Sequence, residues 1–145
     1  MPATLIVGLD GTGSGDRAVD FAKKLANRLG DCELLVVYVI EWSPYTFQTA
    51  EENSERHKRR EEEIMMAMER IVNPAVSSLV ADGISARGIV KHGDVADLIN
   101  KVAVEESAEQ IIVARSSDGG FVKRVFGTAT ANLVMHASVP VTVVG

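Results

Sequence analysis

The chain has 145 residues, of which 46% are hydrophobic and 24% charged, and its mean hydropathy is +0.10. That is material for one domain spanning residues 1–145 with a packed core, and it excludes a disordered or collagen-like chain, whose apolar content cannot offset the entropy lost on folding. A net charge of −5 and 5% aromatic residues argue against a general nucleic-acid binder, which needs excess cations and stacking platforms, and the single cysteine, Cys32, excludes an intrachain disulfide or a multi-cysteine zinc site.

Met1-Pro2-Ala3-Thr4 lacks the basic region and apolar run of a signal peptide. No apolar stretch is expected to reach the roughly 20 residues of a membrane span, so a soluble cytoplasmic domain is expected. Leu5-Ile6-Val7-Gly8-Leu9 reads as a strand buried on both faces, ended by Asp10-Gly11-Thr12-Gly13-Ser14-Gly15. Ala18, Val19, Ala22, Leu25, Ala26 and Leu29 then recur at helical spacing, with Ser14 or Asp16 as N-cap and Gly30 as stop. Leu34 to Ile40 is a second apolar strand. Strand, helix, strand in this order predicts a parallel sheet.

From Glu51 to Glu63 the chain is almost wholly polar, with Glu52 and Glu55 each four residues before an arginine, pairs worth about 0.2–0.5 kcal/mol on an exposed helix. Beyond it Ile64, Met68, Ile71, Val72, Ala75, Val76, Leu79 and Val80 form a stripe that keeps its phase across Asn73-Pro74. This predicts a helix kinked at Pro74, or two helices meeting there, with Met65, Met66 and Met68 on the packing side. Ile84 to Val90 alternates more and suits an edge strand. Asp94 is placed to cap a helix with the face Val95, Leu98, Ile99, Val102 and Ala103. Ile111-Ile112-Val113-Ala114 is a fourth buried strand. Gly127-Thr128 is expected to open the next helix, and Val139 to Val144 is the last strand, starting at Pro140 or lying on an edge.

Five parallel strands with intervening helices make a doubly wound α/β sheet with helices on both faces, and the natural order is 3-2-1-4-5. The winding reverses between the first and fourth strands, where open α/β sheets bind ligands at the strands' carboxyl ends. The loops meeting there are Asp10–Gly15 and Ala114–Thr128, which hold many of the glycines and hydroxyls. Asp10 would repel a pyrophosphate but suits ribose hydroxyls or an adenine amine; alternatively it bonds backbone N–H groups in a tight turn. Gly127-Thr128-Ala129 at a helix start would offer free N–H groups to an anion, with Arg115, Lys123 and Arg124 close in sequence, or it is an ordinary capped helix.

Taken in order, Ile6-Val7-Gly8-Leu9-Asp10-Gly11-Thr12, Val37-Tyr38-Val39-Ile40, His92-Gly93-Asp94, Gln110-Ile111-Ile112-Val113-Ala114, Gly127-Thr128 and Val139 to Val144 make the chain resemble the universal stress protein family along essentially its whole length. The resemblance implies an α/β fold of the adenine nucleotide alpha hydrolase-like kind, a stress-response role, and a homodimer pairing the last strands through Val141 and Val143. One branch of the family binds ATP through G-x-x-G-x9-G-(S/T) after the fourth strand. Its last element falls on Gly127-Thr128, but Ala114 and Ser117 stand where the first two glycines would be. Asp10 and Val39 match positions that contact the ribose and base in that branch. The implied ligand is ATP or AMP, with magnesium, held by Asp10, Gly11, Val39, Ala114, Arg115, Ser117, Gly127, Thr128 and Ala129. The alternative is a non-nucleotide member acting through a protein partner; a third reading is a flavoprotein on a flavodoxin-like scaffold.

Little points to catalysis beyond slow nucleotide hydrolysis. His57, His92 and His136 are scattered, without metal-ligand spacing, and there is neither a G-x-S-x-G elbow nor a P-loop. His92 is expected far from the crevice, His136 in the last turn of its helix, and Cys32 as a small core residue. The loop Trp42 to Phe47 either covers a bound base, forms a dimer contact, or packs as a lid over the middle helix.

Overall fold

The computed structural model describes residues 2–11, 13–41, 50–115 and 121–145, leaving aside the side chains of residues 14, 50–53 and 121–128. Ser117 and the aromatic loop Trp42 to Phe47 therefore lie outside the described residues. The elements are β1 (Ala3–Leu9), α1 (Ser14–Leu29), β2 (Cys32–Glu41), α2 (Ala50–Ala67), a π turn (Met68–Val72), α3 (Asn73–Ala81), β3 (Ser85–Gly93), α4 (Val95–Glu105), β4 (Gln110–Ala114), α5 (Phe121–His136) and β5 (Val141–Val144).

All strand pairings are parallel, in the order β3-β2-β1-β4-β5, the doubly wound sheet that the apolar runs imply. Alternate residues of each inner strand serve opposite layers, because side-chain direction has a period of two. Leu5, Val7, Leu34, Val36 and Ile112 pack under α1 and α3 with Ala18, Ala22, Val72 and Leu79. Ile6, Leu35, Val37, Ile111 and Val113 pack under α4 and α5 with Ile99, Val102, Ala103 and Leu133. Each fully buried Leu or Ile contributes roughly 1.5–3 kcal/mol. Ala18 and Ala22, one turn apart and without exposed surface, let α1 lie close against the sheet.

Several local readings hold. Gly30 ends α1 at φ 83°, its N–H bonded to the Ala26 carbonyl. Asp94 caps α4 by accepting from the Asp97 N–H at 3.0 Å. Others are corrected. The residue before α1 is Gly13, with no side-chain cap, so neither Ser14 nor Asp16 fills that role. β3 runs on to Gly93, because its pairing with β2 continues through Ile40↔His92 and Glu41↔Gly93.

The helical run from α2 through α3 accommodates Pro74 through a π turn rather than a break. Proline at position i crowds the carbonyl at i−4, here Arg70, which lies within the widened turn. Pro74 itself sits in the first turn of α3, where its missing N–H costs least. Met65 and Met66 are exposed rather than on the packing face, as is Val80 at the far end. Ile64, Ala67, Met68, Ile71, Val72, Ala75, Val76 and Leu79 face the core.

The stretch Ser54–Ala81 is also long and apolar enough, by length and composition alone, to cross a membrane, with a mean hydropathy of 1.2 in its best 18-residue window. This corrects the expectation that nothing approaches such a length. Residues Glu55 to Glu63 of this helical run are almost all charged, Glu69 and Arg70 interrupt the remainder, and the inner face packs on β3 and, at the π turn, on β2 as well.

Candidate functional site

The strand order reverses between β1 and β4, and a shallow crevice opens there at their carboxyl ends. Gly8, Ile99, Val113 and Leu133 form an apolar floor; Asp10, Gly15, Ala114, Ala129 and Thr130 form the rim. Gly8 keeps the floor open. A methyl group there would lie 2.9 Å from Val113 Cγ1 and 3.2 Å from Ile99 Cδ1. Gly15 is equally constrained, since a Cβ would meet Leu9 Cδ2 at 2.9 Å.

Of the residues singled out in the sequence, Asp10, Ala114 and Ala129 line this crevice. Gly11 follows Asp10 at φ 81°, a conformation that glycine adopts without strain, and borders a second cleft, on the α1–α3 side of the sheet. Val39 is buried in the layer under α4 and is absent from the crevice lining. Arg115 is exposed just beyond β4; its N–H donates to the Val144 carbonyl at 2.7 Å.

Gly127, Thr128 and Ala129 do not open a helix. They lie inside α5, which begins at Phe121. The segment Phe121 to Phe126 contains neither proline nor glycine, so the helix extends upstream past the expected start. Gly127-Thr128 therefore does not present the free N–H groups of a helix start to an anion.

Arg17, two residues past the rim residue Gly15 and not itself part of the crevice lining, is a neighbouring residue that pattern reading missed. From the first turns of α1 it reaches across the reversal, and its Nη2 donates to the carbonyl of Arg115. Its Nε is shielded from solvent and has no acceptor among the described residues. An arginine a few residues beyond a glycine-rich strand-to-helix loop was the available signal, but nothing in the sequence fixes which way it points.

Tyr38, on β2, stands beside Gly11: a Cβ on Gly11 would be 3.2 Å from its hydroxyl. Burial pushes the Tyr38 phenol above its ordinary value, and Asp10, Glu41 and Glu63 push the same way by charge. Asp10 thus belongs to a negative field around the end of β1 and β2, which supports a hydrogen-bond-donating ligand edge there. His92 is far from the crevice, on edge strand β3, with Nε2 3.3 Å from Glu63 Oε2 but off the line of a good hydrogen bond. His136 is in the last turn of α5. Burial raises the Cys32 thiol, helped by Glu109, Asp31 and Glu33, so it stays a protonated core group. Among the described residues no three His, Cys, Asp or Glu side chains converge to hold a metal.

An open parallel sheet with a crevice at its winding reversal defines a doubly wound α/β domain. The universal stress protein family model matches residues 1–145, and the chain belongs to that family. Its fold is similar to that of hypothetical protein MJ0577, with 18% identity and a TM-score of 0.79 over 99% of this chain and 96% of that one. It is similar also to UspA from Lactobacillus plantarum, with 18% identity and a TM-score of 0.77 over 99% and 97% of the two chains. A universal stress protein solved in complex with cAMP gives 21% identity and a TM-score of 0.64, over 99% and 96%. At these identities the likeness is one of fold. No curated protein matches the chain.

Proposed function

We propose that this universal stress protein is a cytoplasmic regulatory protein that binds an adenine nucleotide in the crevice between β1 and β4. The observation that carries the reading is the placement of Asp10: a carboxylate at the end of β1, on the rim of a crevice with an apolar floor, at the reversal of strand order. An apolar floor suits a base, and a carboxylate accepts from a ribose hydroxyl or an exocyclic amine. Structurally similar proteins have been solved with cAMP, with AMP (from Arabidopsis thaliana) and with dAMP (from Archaeoglobus fulgidus), which supports the ligand class. Ala114 on the rim puts a Cβ where the ATP-binding branch has glycine, which favours a nucleoside monophosphate such as AMP over ATP with magnesium. Among the described residues no general base stands out, and the proposed role is binding, with hydrolysis slow at most.

Calorimetry with AMP, cAMP and ATP, with and without magnesium, on wild type and Asp10→Ala, tests this. Saturable binding weakened at least tenfold by the substitution is expected. No heat with any nucleotide at millimolar concentration would remove the reading and leave a role through protein contacts.

The proposed assembly is a homodimer formed through β5. Val143 is 40% exposed on this edge strand, and the outer face of α5 adds exposed Val134 and Met135. An unprotected apolar edge invites strand pairing, and a second copy satisfies it. Light scattering of a Val141→Lys/Val143→Lys variant is expected to show half the wild-type mass; an unchanged mass would reject this interface.

A further inference from the structure

We infer that Arg17 is the phosphate-recognising residue of the crevice, an assignment that rests on the nucleotide reading above. Three observations converge on it. Of its five N–H donors, only one on Nη2 has a partner among the described residues, the carbonyl of Arg115. The Nε–H is shielded from water without an acceptor among the described residues, an arrangement that costs free energy until one arrives. Moreover, among the described residues no carboxylate lies within 4.0 Å of Arg17 or of Arg115, although the chain has 20 acids to 15 bases. In a protein with acids to spare, Arg17 of α1 and Arg115 just past β4, neither with a carboxylate partner among the described residues, together form a local positive region.

The crevice therefore has two ends. Asp10, at the end of β1, takes hydrogen-bond donors and repels phosphate. Arg17, strapped to the chain just past neighbouring β4, attracts it. A nucleotide lies with its sugar or base edge toward Asp10 and its phosphate toward the guanidinium, whose planar fork matches two phosphate oxygens. Arg17 thereby replaces the backbone cradle that Ala114 obstructs. The bond to the Arg115 carbonyl orients the side chain, so little rotamer freedom remains to be lost when the ligand binds.

The test compares AMP with adenosine, which lacks the phosphate, by calorimetry on wild type, Arg17→Gln and Arg17→Lys. Glutamine can keep a donor toward the Arg115 carbonyl while removing the charge; lysine keeps the charge without the fork. Wild type is expected to prefer AMP by tenfold or more, Arg17→Gln to bind the two about equally with adenosine affinity unchanged, and Arg17→Lys to fall between. On wild type alone, the preference should shrink as salt rises. A wild-type preference retained in Arg17→Gln would overturn the assignment and leave the nucleotide site standing. So would a wild type that binds AMP and adenosine equally, or whose preference is indifferent to salt. A wild type that binds neither ligand overturns both.

Discussion

Adding one methyl group at Gly88 should measurably destabilise the fold. Gly88 lies in β3 opposite Val36, beneath the π turn, and a Cβ built there overlaps Val72 Cγ1. The other directions are occupied too, by Val76 Cγ2 at 3.4 Å and Met68 Sδ at 3.6 Å. Val72 is fully buried and β-branched, so it has little rotamer freedom and the turn itself must move. Overpacking of this kind costs about 1–3 kcal/mol, against a gain of about 0.5–1 kcal/mol from replacing glycine inside a strand. The net expectation for Gly88→Ala is a loss of about 1–2 kcal/mol, or roughly 3–8 °C in Tm for a domain of this size. Val72→Ala alone should cost about 2 kcal/mol through the two lost methyls and the space they leave. In the double variant the methyl added at position 88 enters that space, so the combined loss should be smaller than the sum by about 1–2 kcal/mol. Urea denaturation of all four proteins measures the cycle. Additive losses, or a Gly88→Ala midpoint equal to wild type, would refute the close approach of π turn and strand.

Gly8→Ala should weaken nucleotide binding more than tenfold, because its methyl enters the crevice floor beside Val113 and Ile99; calorimetry checks this, with Tm as the control for folding. Ser107 occupies positive φ (52°) just past α4, so Ser107→Gly should raise stability by about 0.5–1 kcal/mol in urea melts. Removing the cap with Asp94→Ala should cost about 0.5–2 kcal/mol in the same assay. Tyr38 has its phenol raised in the folded state, so its protonated form favours folding. That contribution is complete below the unfolded tyrosine value near 10 and is lost as pH rises through the higher folded value. Tyr38→Phe should flatten the alkaline decline in stability, and ultraviolet titration of wild type should show one late-ionising tyrosine.

The sheet is legible in the sequence because its inner strands are runs such as Leu34 to Val37, which can be satisfied only by burial on both faces. The strand order follows from crossover handedness, and the position of the crevice follows from the order. Asp10 and Ala114 are therefore placed at the site by sequence alone. What escapes such reading depends on contacts between residues distant in sequence. Arg17 matters because of a carbonyl 98 positions away. Val39 matches a family position by spacing, yet strand alternation buries it in the layer beneath α4. Gly127-Thr128 reads as the start of α5 because glycine usually marks an end, but a helix tolerates one in its interior at about 1 kcal/mol. The π turn has no sequence signature beyond Pro74, since proline announces a disturbance without specifying which kind.

The sheet's connectivity also bears on how the chain comes to be folded. β1 is central, yet the neighbour on one side arrives early and the other late: Leu5 lies opposite Leu34 through one pairing and Gln110 through the other. During synthesis β1, β2 and β3 can assemble with α1 and α3 as soon as Gly93 has emerged. Until β4 follows, the apolar edge of β1, from Leu5 to Gly8, has no partner, which is the stage most open to pairing with another chain. The ligand crevice does not exist in that half-made domain, because one of its two walls is β4. A nucleotide that binds there therefore stabilises only the completed sheet, and occupancy of the crevice also reports that the chain has finished folding.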